Sequence, residues 1–302
     1  MKFFITGGTG FIGSRLVKAL IQDEHEICLL ARNPQKQHSA SEKIKMLTPG
    51  DLKKFENVSY LTNADVVINL AGENIGNRRW TKSQKEKLLS SRIKTTRFLV
   101  DTLNLNSDSG PRMINASAIG FYGSQKNKQI TESAPAGNDL LARICDTWET
   151  EARKLNQAKT RLTILRIGVV LDRDQGAFPK MLLPFKFFIG GKLGTGKQWV
   201  SWIHIDDLID VFKFVIFKDD VSGIFNATAP TPVTNSQLTH AIAKAFHRPA
   251  LFPVPAFILK ILLGQQSTLV LEGQQVIPKN LLESGFKFKH GTIDSALADL
   301  YL

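Results

Sequence analysis

The chain has 302 residues, is 43% hydrophobic and carries a formal net charge of +12, with an isoelectric point near 9.7. Such a chain can bury the core of one large or two unequal domains, and it holds no apolar run near the ~20 residues of a membrane span, so no membrane partner is expected. Two isolated cysteines (Cys28, Cys145) and six scattered histidines make neither a disulfide framework nor a metal-ligand spacing, which fits a reducing, cytoplasmic, metal-free protein.

The basic residues are dispersed. The densest cluster, "NRRWTKSQKEK", is interleaved with acidic and apolar residues and reads as a solvated surface, not a nucleic-acid face. The positive balance favours small anionic ligands, such as phosphorylated cofactors and nucleotide-linked substrates.

The N-terminal "MKFFIT" is too short and too quickly followed by glycines to be an export signal, and it reads as a first strand, Lys2–Thr6. Gly7, Gly10 and Gly13 then form G-x-x-G-x-x-G at the entry to a helix over Gly10–Asp23, with Ile12, Leu16 and Leu20 on one face. A glycine turn between a strand and a helix lets the backbone approach a pyrophosphate, whose charge the helix N-terminus stabilises. This assigns Gly7, Thr9, Gly10, Phe11, Ile12 and Gly13 to a dinucleotide.

A second strand, Glu26–Ala31, ends at Arg32-Asn33, where an acidic residue would bind the 2′-hydroxyl of an NAD ribose. Arg32, with Lys36 as a second candidate, instead suits the 2′-phosphate of NADP(H). Strands are expected at Val58–Leu61 and Ala64–Ala71; the latter exits through "NLAG", where Leu70, Ala71 and Gly72 would lie against the cofactor, followed by Glu73 and Asn74 as candidate substrate contacts. A helix over Thr81–Asn104 leads to a strand over Arg112–Ser117, whose end places Ala116 and Ser117 at the cofactor. Tyr122 and Lys126 stand in a literal YxxxK, but Gly123, Ser124 and Asn127 make this a loop after a strand, so the pair is not expected to couple. Tyr122 by itself is a candidate substrate or catalytic contact.

A helix over Asn138–Gln157 and a strand over Leu162–Leu171 complete the alternation, and Gly223–Ala229 adds a last strand. Strand–helix alternation with near-continuously apolar strands predicts an α/β fold: a Rossmann-like, doubly wound parallel sheet. Residues 172–202 are irregular, rich in glycine, proline and aromatics. From Pro230 the chain becomes helical, with Thr234 or Ser236 able to cap the first helix. The expected division is therefore a dinucleotide-binding domain of residues 1–171 plus 203–229, and a small, mainly helical substrate-capping domain of 172–202 plus 230–302. Glu132, Lys197, Trp199 and Trp202 are further candidate substrate contacts, together with Arg79 and Trp80. Asp146 and Glu149 are candidate acid–base groups, and His204 reads as a strand-end structural residue.

Taken together, the T-G-x-x-G-x-x-G turn, "NLAG" and the Tyr-Gly pair after the fifth strand resemble the extended short-chain dehydrogenase/reductases, the nucleotide-sugar epimerase group. The phrases "LAGENI", "RRWT", "ASAIGFYG", "RICDTWETEA", "LRIGVVLD", "GGKLGTGKQWVSWIHIDD" and "GQQVIPKNLLESGFKF" resemble an atypical subgroup termed the epimerase family, over essentially the whole chain. The resemblance implies NADP across the strand ends, a capping domain over the substrate, a Ser or Thr after the fifth strand and a Tyr-x-x-x-Lys dyad on the following helix. That helix has no tyrosine. If Glu149 is matched to the family's glutamate, Leu141 and Cys145 take the dyad positions, and Ala118 or, one residue earlier, Ser117 takes that of the Ser/Thr. Two functions are compatible with this: an NADP(H)-dependent oxidoreductase or epimerase-like enzyme, monomeric or homodimeric, with non-standard acid–base groups around Ser117 and Tyr122; or an NADP(H)-binding protein without turnover that reports redox state.

Overall fold

The computed structural model describes residues 1–32, 42–106, 110–125 and 128–301. The first half of the chain runs β1 (Lys2–Thr6), α1 (Phe11–Gln22), β2 (Glu26–Leu30), β3 (Ile44–Leu47), α2 (Phe55–Thr62), β4 (Val66–Asn69), α3 (Lys82–Asn106), β5 (Arg112–Ala118), β6 (Gln129–Ile130) and α4 (Leu140–Ala152). The second half runs β7 (Leu162–Ile167), β8 (Val169–Leu171), α5 (Phe178–Lys186), β9 (Trp199–Val200), β10 (Trp202–His204), α6 (Ile205–Phe217), β11 (Gly223–Ala227), β12 (Val233–Thr234), α7 (Asn235–Ala245), α8 (Ala256–Leu263), α9 (Thr268–Leu271), β13 (Gln275–Val276), α10 (Lys279–Glu283) and α11 (Ile293–Tyr301).

Seven strands form one sheet in the order β11-β7-β5-β4-β1-β2-β3, every pair parallel. Parallel strands need crossover helices, and these cover both faces, which is why β4 and β7 are buried along their whole length. Successive side chains of β1 serve opposite layers: Phe3 and Ile5 pack with Leu16, Leu20 and Phe212, and Phe4 packs with Leu61, Leu99 and Leu103. A third core joins α5, α7 and α11 through Phe178, Leu182, Leu238, Ile242 and Leu297. Within the C-terminal segment, Leu281 and Phe286 belong to the main core, and β13 pairs with β6.

Three expectations about elements change. Val58–Leu61 is not a strand but lies in α2, with Leu61 fully buried; a four-residue apolar run has no period that separates strand from helix. The edge strand β3 was not foreseen, because its half-exposed "IKML" alternates weakly. The run Leu162–Leu171 divides at Gly168, where a Cβ would stand 2.6 Å from the Ser201 carbonyl oxygen, and β8 leaves the main sheet to pair with β10. Of the two proposed caps, Thr234 serves α7 in a reciprocal capping box with Gln237. Among the described residues, no helix is long and apolar enough to cross a membrane.

Candidate functional site

The connections from β1 and β4 run to opposite sides of the sheet, and ligands of doubly wound sheets lie at this switch point, outside the carboxyl ends of the strands. Gly7 takes φ of +72°, and a Cβ there would stand 2.6 Å from the Leu70 carbonyl, so only glycine lets the two strand exits meet. Gly13 is equally restricted, since its Cβ would stand 2.3 Å from the Gly7 carbonyl oxygen. A buried network fixes the junction: Thr6 donates to Asn69 Oδ1 at 2.7 Å, and Asn69 Nδ2 donates to Asn115 at 2.7 Å and to Thr96 at 2.8 Å. Helix α1 begins after Gly10, an N-cap residue with no side chain to cap the first turn. Its backbone donors and positive dipole end therefore face the crevice, a cradle suited to a pyrophosphate.

This arrangement brings together most of the expected cofactor residues. Gly7, Thr9, Gly10, Phe11, Ile12 and Gly13 form one wall, and Leu70, Ala71 and Gly72 the other. Arg32 is exposed just beyond β2, whose end pairs with that of β1; Asn33 and Lys36 lie outside the described residues. A further support comes from the 172–176 loop: Asp172, buried, accepts a 2.8 Å bond from Arg15 of α1, and Gly176 lies against the Phe11 ring. Ala116 instead packs into the main core.

The residues expected at the reaction centre are placed differently. Tyr122 ends a single 3₁₀ turn after β5 and is only 1% exposed. Its hydroxyl donates to Asn226 at 2.6 Å and accepts from Arg166 at 2.9 Å. Burial raises its pKa, partly offset by Arg166. The Tyr122 hydroxyl is therefore engaged within the core, which corrects it as a free proton-transfer group, while the residue also lines a small cavity with Gln125, Lys128 and Ile130. Its YxxxK partner, Lys126, lies outside the described residues.

Ser117 is buried and donates to Glu149 Oε1 at 2.7 Å. Glu149 also receives Arg166 Nε and a second Arg166 nitrogen, both at 2.8 Å, and Arg153 at 2.6 Å. Ser117 and Glu149 are thus taken up by a structural ion-pair network and are corrected as catalytic candidates. Burial opposes the charge of Arg166, but its bonds and Coulombic attraction to Glu149 prevail and raise its pKa.

Glu132 is buried as well. Its Oε1 accepts the backbone N–H groups of Asn226 at 3.0 Å and Asn280 at 3.2 Å, which ties the β6 region to β11 and α10. Trp202 is fully buried, with its indole donating to the Thr231 carbonyl at 3.1 Å. Neither is a substrate contact in this arrangement. Trp80 likewise belongs to a small core with Leu88 and Ile144. Glu73 and Asn74 follow β4, half-buried and exposed respectively; Glu73 is held by Ser91 and Gln84, and Asn74 turns the loop by accepting the Gly76 N–H at 2.8 Å. Lys197 is exposed and Trp199 half-buried, in and just before β9. His204 is structural as expected, capping α6 by accepting the Asp206 N–H.

Helix α4 presents Leu141 and Cys145 to the end of β5: a Cβ on Gly120 would lie 3.3 Å from Leu141 Cβ and 3.7 Å from Cys145 Sγ. Burial pushes the Cys145 thiol up to about 11, so it stays protonated at neutral pH. A cation beside this surface is on α3, and sequence reasoning missed it. Arg92 spans from Trp148 of α4, 5.1 Å from its ring centroid, to Gly72, where a Cβ would stand 2.9 Å from the guanidinium carbon. It donates to the Leu88 carbonyl at 2.8 Å and has no ion-pair partner among the described residues. Burial lowers its pKa, and the nearby Cys145 and Glu73 counteract that shift. Nothing in "SSRIKTTR" sets this arginine apart from Lys94 and Arg97, because only helix packing turns it towards the strand ends.

Residues 3–228 match the NAD dependent epimerase/dehydratase family, and residues 254–300 match a domain of unknown function, DUF1731. The chain belongs to the NAD dependent epimerase/dehydratase family. Among the relatives of this epimerase-family chain, YfhF of Bacillus subtilis is 37% identical over 99% of this chain and 98% of its own length. The chloroplastic SDR39U1 homolog of Arabidopsis thaliana is 38% identical over 98% and 86% respectively. Both are named epimerase family proteins. The crystal structure of the human epimerase family protein SDR39U1 with NADPH superposes with a TM-score of 0.88, at 31% identity, covering 100% of this chain and 99% of the human one. The UDP-glucuronic acid 4-epimerase of Bacillus cereus shares the fold at a TM-score of 0.78 and 17% identity. This family member keeps the glycine turn and the strand-end crevice, and its α4, Leu140–Ala152, contains no tyrosine.

Proposed function

We propose that the protein is an NADP(H)-dependent oxidoreductase, or epimerase-like enzyme, acting on a small carbonyl or nucleotide-linked substrate held beside Arg92. The observation that carries this reading is the pairing of a glycine-capped α1 N-terminus, built on Gly7, Gly10 and Gly13, with an Arg92 that has no ion-pair partner among the described residues and lies across the same strand ends. The human relative solved with NADPH supports the cofactor, and Arg32 supports the phosphorylated form over NAD.

NADP(H), when bound, supplies or takes up the hydride. The α1 N-terminus and the Gly7–Leu70 contact would hold its pyrophosphate. Arg92 would orient a carbonyl oxygen or anionic group of the substrate and stabilise negative charge that develops on it, in a half-buried setting where such an interaction is stronger than in water. Glu73, half-buried in the loop after β4 and electrostatically coupled to Arg92, is a candidate for moving a proton. A second reading, an NADP(H)-binding redox reporter without turnover, is favoured by the pairing of Ser117, Tyr122 and Glu149 into the core network.

The test is a titration with NADPH and NADH, followed by an NADPH-consumption screen against sugar nucleotides, quinones and small carbonyls. NADPH is expected to bind more tightly, with Arg32→Ala weakening it selectively by tenfold or more, on the order expected for a charge-assisted contact. Equal affinity for the two cofactors overturns the role of Arg32. Binding without turnover of any class favours the reporter.

A further inference from the structure

The capping region carries a surface unlike the rest of the molecule. Helix α8 (Ala256–Leu263) buries Leu259 but turns Phe257 and Ile261 outward, 64% and 72% exposed. The chain leaving α5 does the same with Phe187, Phe188 and Ile189, all more than half exposed. Phe188 adopts φ of +61°, a left-handed conformation unfavourable for a phenylalanine and one that aids no burial of its ring. The two segments are tied together through the chain that precedes α8: Phe252 donates to the Gly190 carbonyl at 3.1 Å, and Val254 to that of Lys192 at 2.9 Å. Arg248 lies 4.0 Å over the Phe188 ring.

Charge on these segments is of one sign. No Asp or Glu occurs from Gln175 to Ile205 or from Val221 to Leu271, whereas Lys186, Lys192, Arg248 and Lys260 lie among the exposed apolar side chains and are themselves exposed. None of these four has an ion-pair partner among the described residues. Single exposed apolar residues are ordinary, but several contiguous ones ringed only by cations are not.

We propose that this face docks peripherally on an anionic lipid surface. The apolar side chains enter the headgroup boundary, and the lysines and arginine meet lipid phosphates. Two copies of the same cationic face repel each other, which argues against a second copy as the occupant. Arg79 of the loop after β4 donates to the Leu262 carbonyl at 2.9 Å, so the docked face meets the loop that leaves β4.

The experiment is sedimentation of the full-length protein with vesicles of phosphatidylcholine alone, and with phosphatidylglycerol added. Binding is expected only with phosphatidylglycerol, weakening as salt rises. The double variant Phe188→Glu/Ile261→Glu is expected to lose about tenfold or more of that binding. Because both positions are exposed, its circular dichroism and melting midpoint should match the wild type. Three outcomes overturn the proposal: no binding to phosphatidylglycerol vesicles at low salt, binding undiminished in the variant, or a wild-type dimer that the same variant converts to monomer while vesicles recruit neither.

Discussion

Arg92 lies across Gly72, its guanidinium carbon 2.9 Å from where a Cβ on that glycine would stand. The contact joins the middle of α3 to the exit of β4 and leaves, at the mouth of the crevice, an arginine with no carboxylate partner among the described residues. It is the arrangement on which the proposed chemistry depends.

Arg92→Gln should lower kcat/KM for whichever substrate the screen yields by about a hundredfold, the scale of losing one charge-stabilising donor. NADPH affinity should stay within a few-fold, as read by fluorescence titration. Gly72→Ala should have a smaller effect in the same direction, because the flexible end of Arg92 can yield to the new methyl group. Unchanged turnover in Arg92→Gln removes Arg92 from the mechanism.

The glycine turn makes a second prediction. At Gly7 a side chain meets both a left-handed backbone and the Leu70 carbonyl at 2.6 Å. Gly7→Ala should therefore lower the melting midpoint and weaken NADPH by about a hundredfold or more, since the strain is of order 1–3 kcal/mol before any displacement of Leu70. Calorimetric titration and a thermal melt measure the two effects separately.

The Ser117–Glu149–Arg166 network predicts unequal stability losses. Ser117→Ala removes one 2.7 Å bond to a carboxylate that keeps its arginines, and should cost about 1–2 kcal/mol. Glu149→Ala strands the buried Arg166 and should cost about 3–5 kcal/mol. Urea unfolding compares them. Equal losses would show that Arg166 finds another partner or water.

His204 sets a pH dependence. Burial lowers its pKa below the ordinary 6.5, and the neighbouring His290 adds to the shift. The unfolded chain therefore binds the proton first as pH falls, so stability is lost below about 6.5 until the folded imidazole also protonates. His204→Asn keeps an acceptor for the Asp206 N–H and removes that loss. The stability gap between wild type and variant should narrow from about pH 8 to about pH 5, measured by denaturation at each pH. A gap independent of pH refutes the assignment.

Several features were legible because their causes are local. The glycine triad, the apolar strands and the amphipathic α1 specify the doubly wound sheet and the cofactor cradle within short windows of sequence, as do the turn after β4 and the arginine after β2. That α4 holds no tyrosine was equally plain, since it can be read directly from Leu140–Ala152. What only the tertiary structure decided depends on distant residues meeting. Tyr122 and Ser117 stand at the expected end of β5, yet Arg166 from β7, Asn226 from β11 and Glu149 from α4 turn them inward, because a buried arginine must be paired. Arg92 is the converse: an unremarkable helical cation that the packing of α3 against α4 leaves facing the crevice. Local sequence fixes where a backbone goes, and the partners brought by other elements decide whether a polar side chain serves the core or the site.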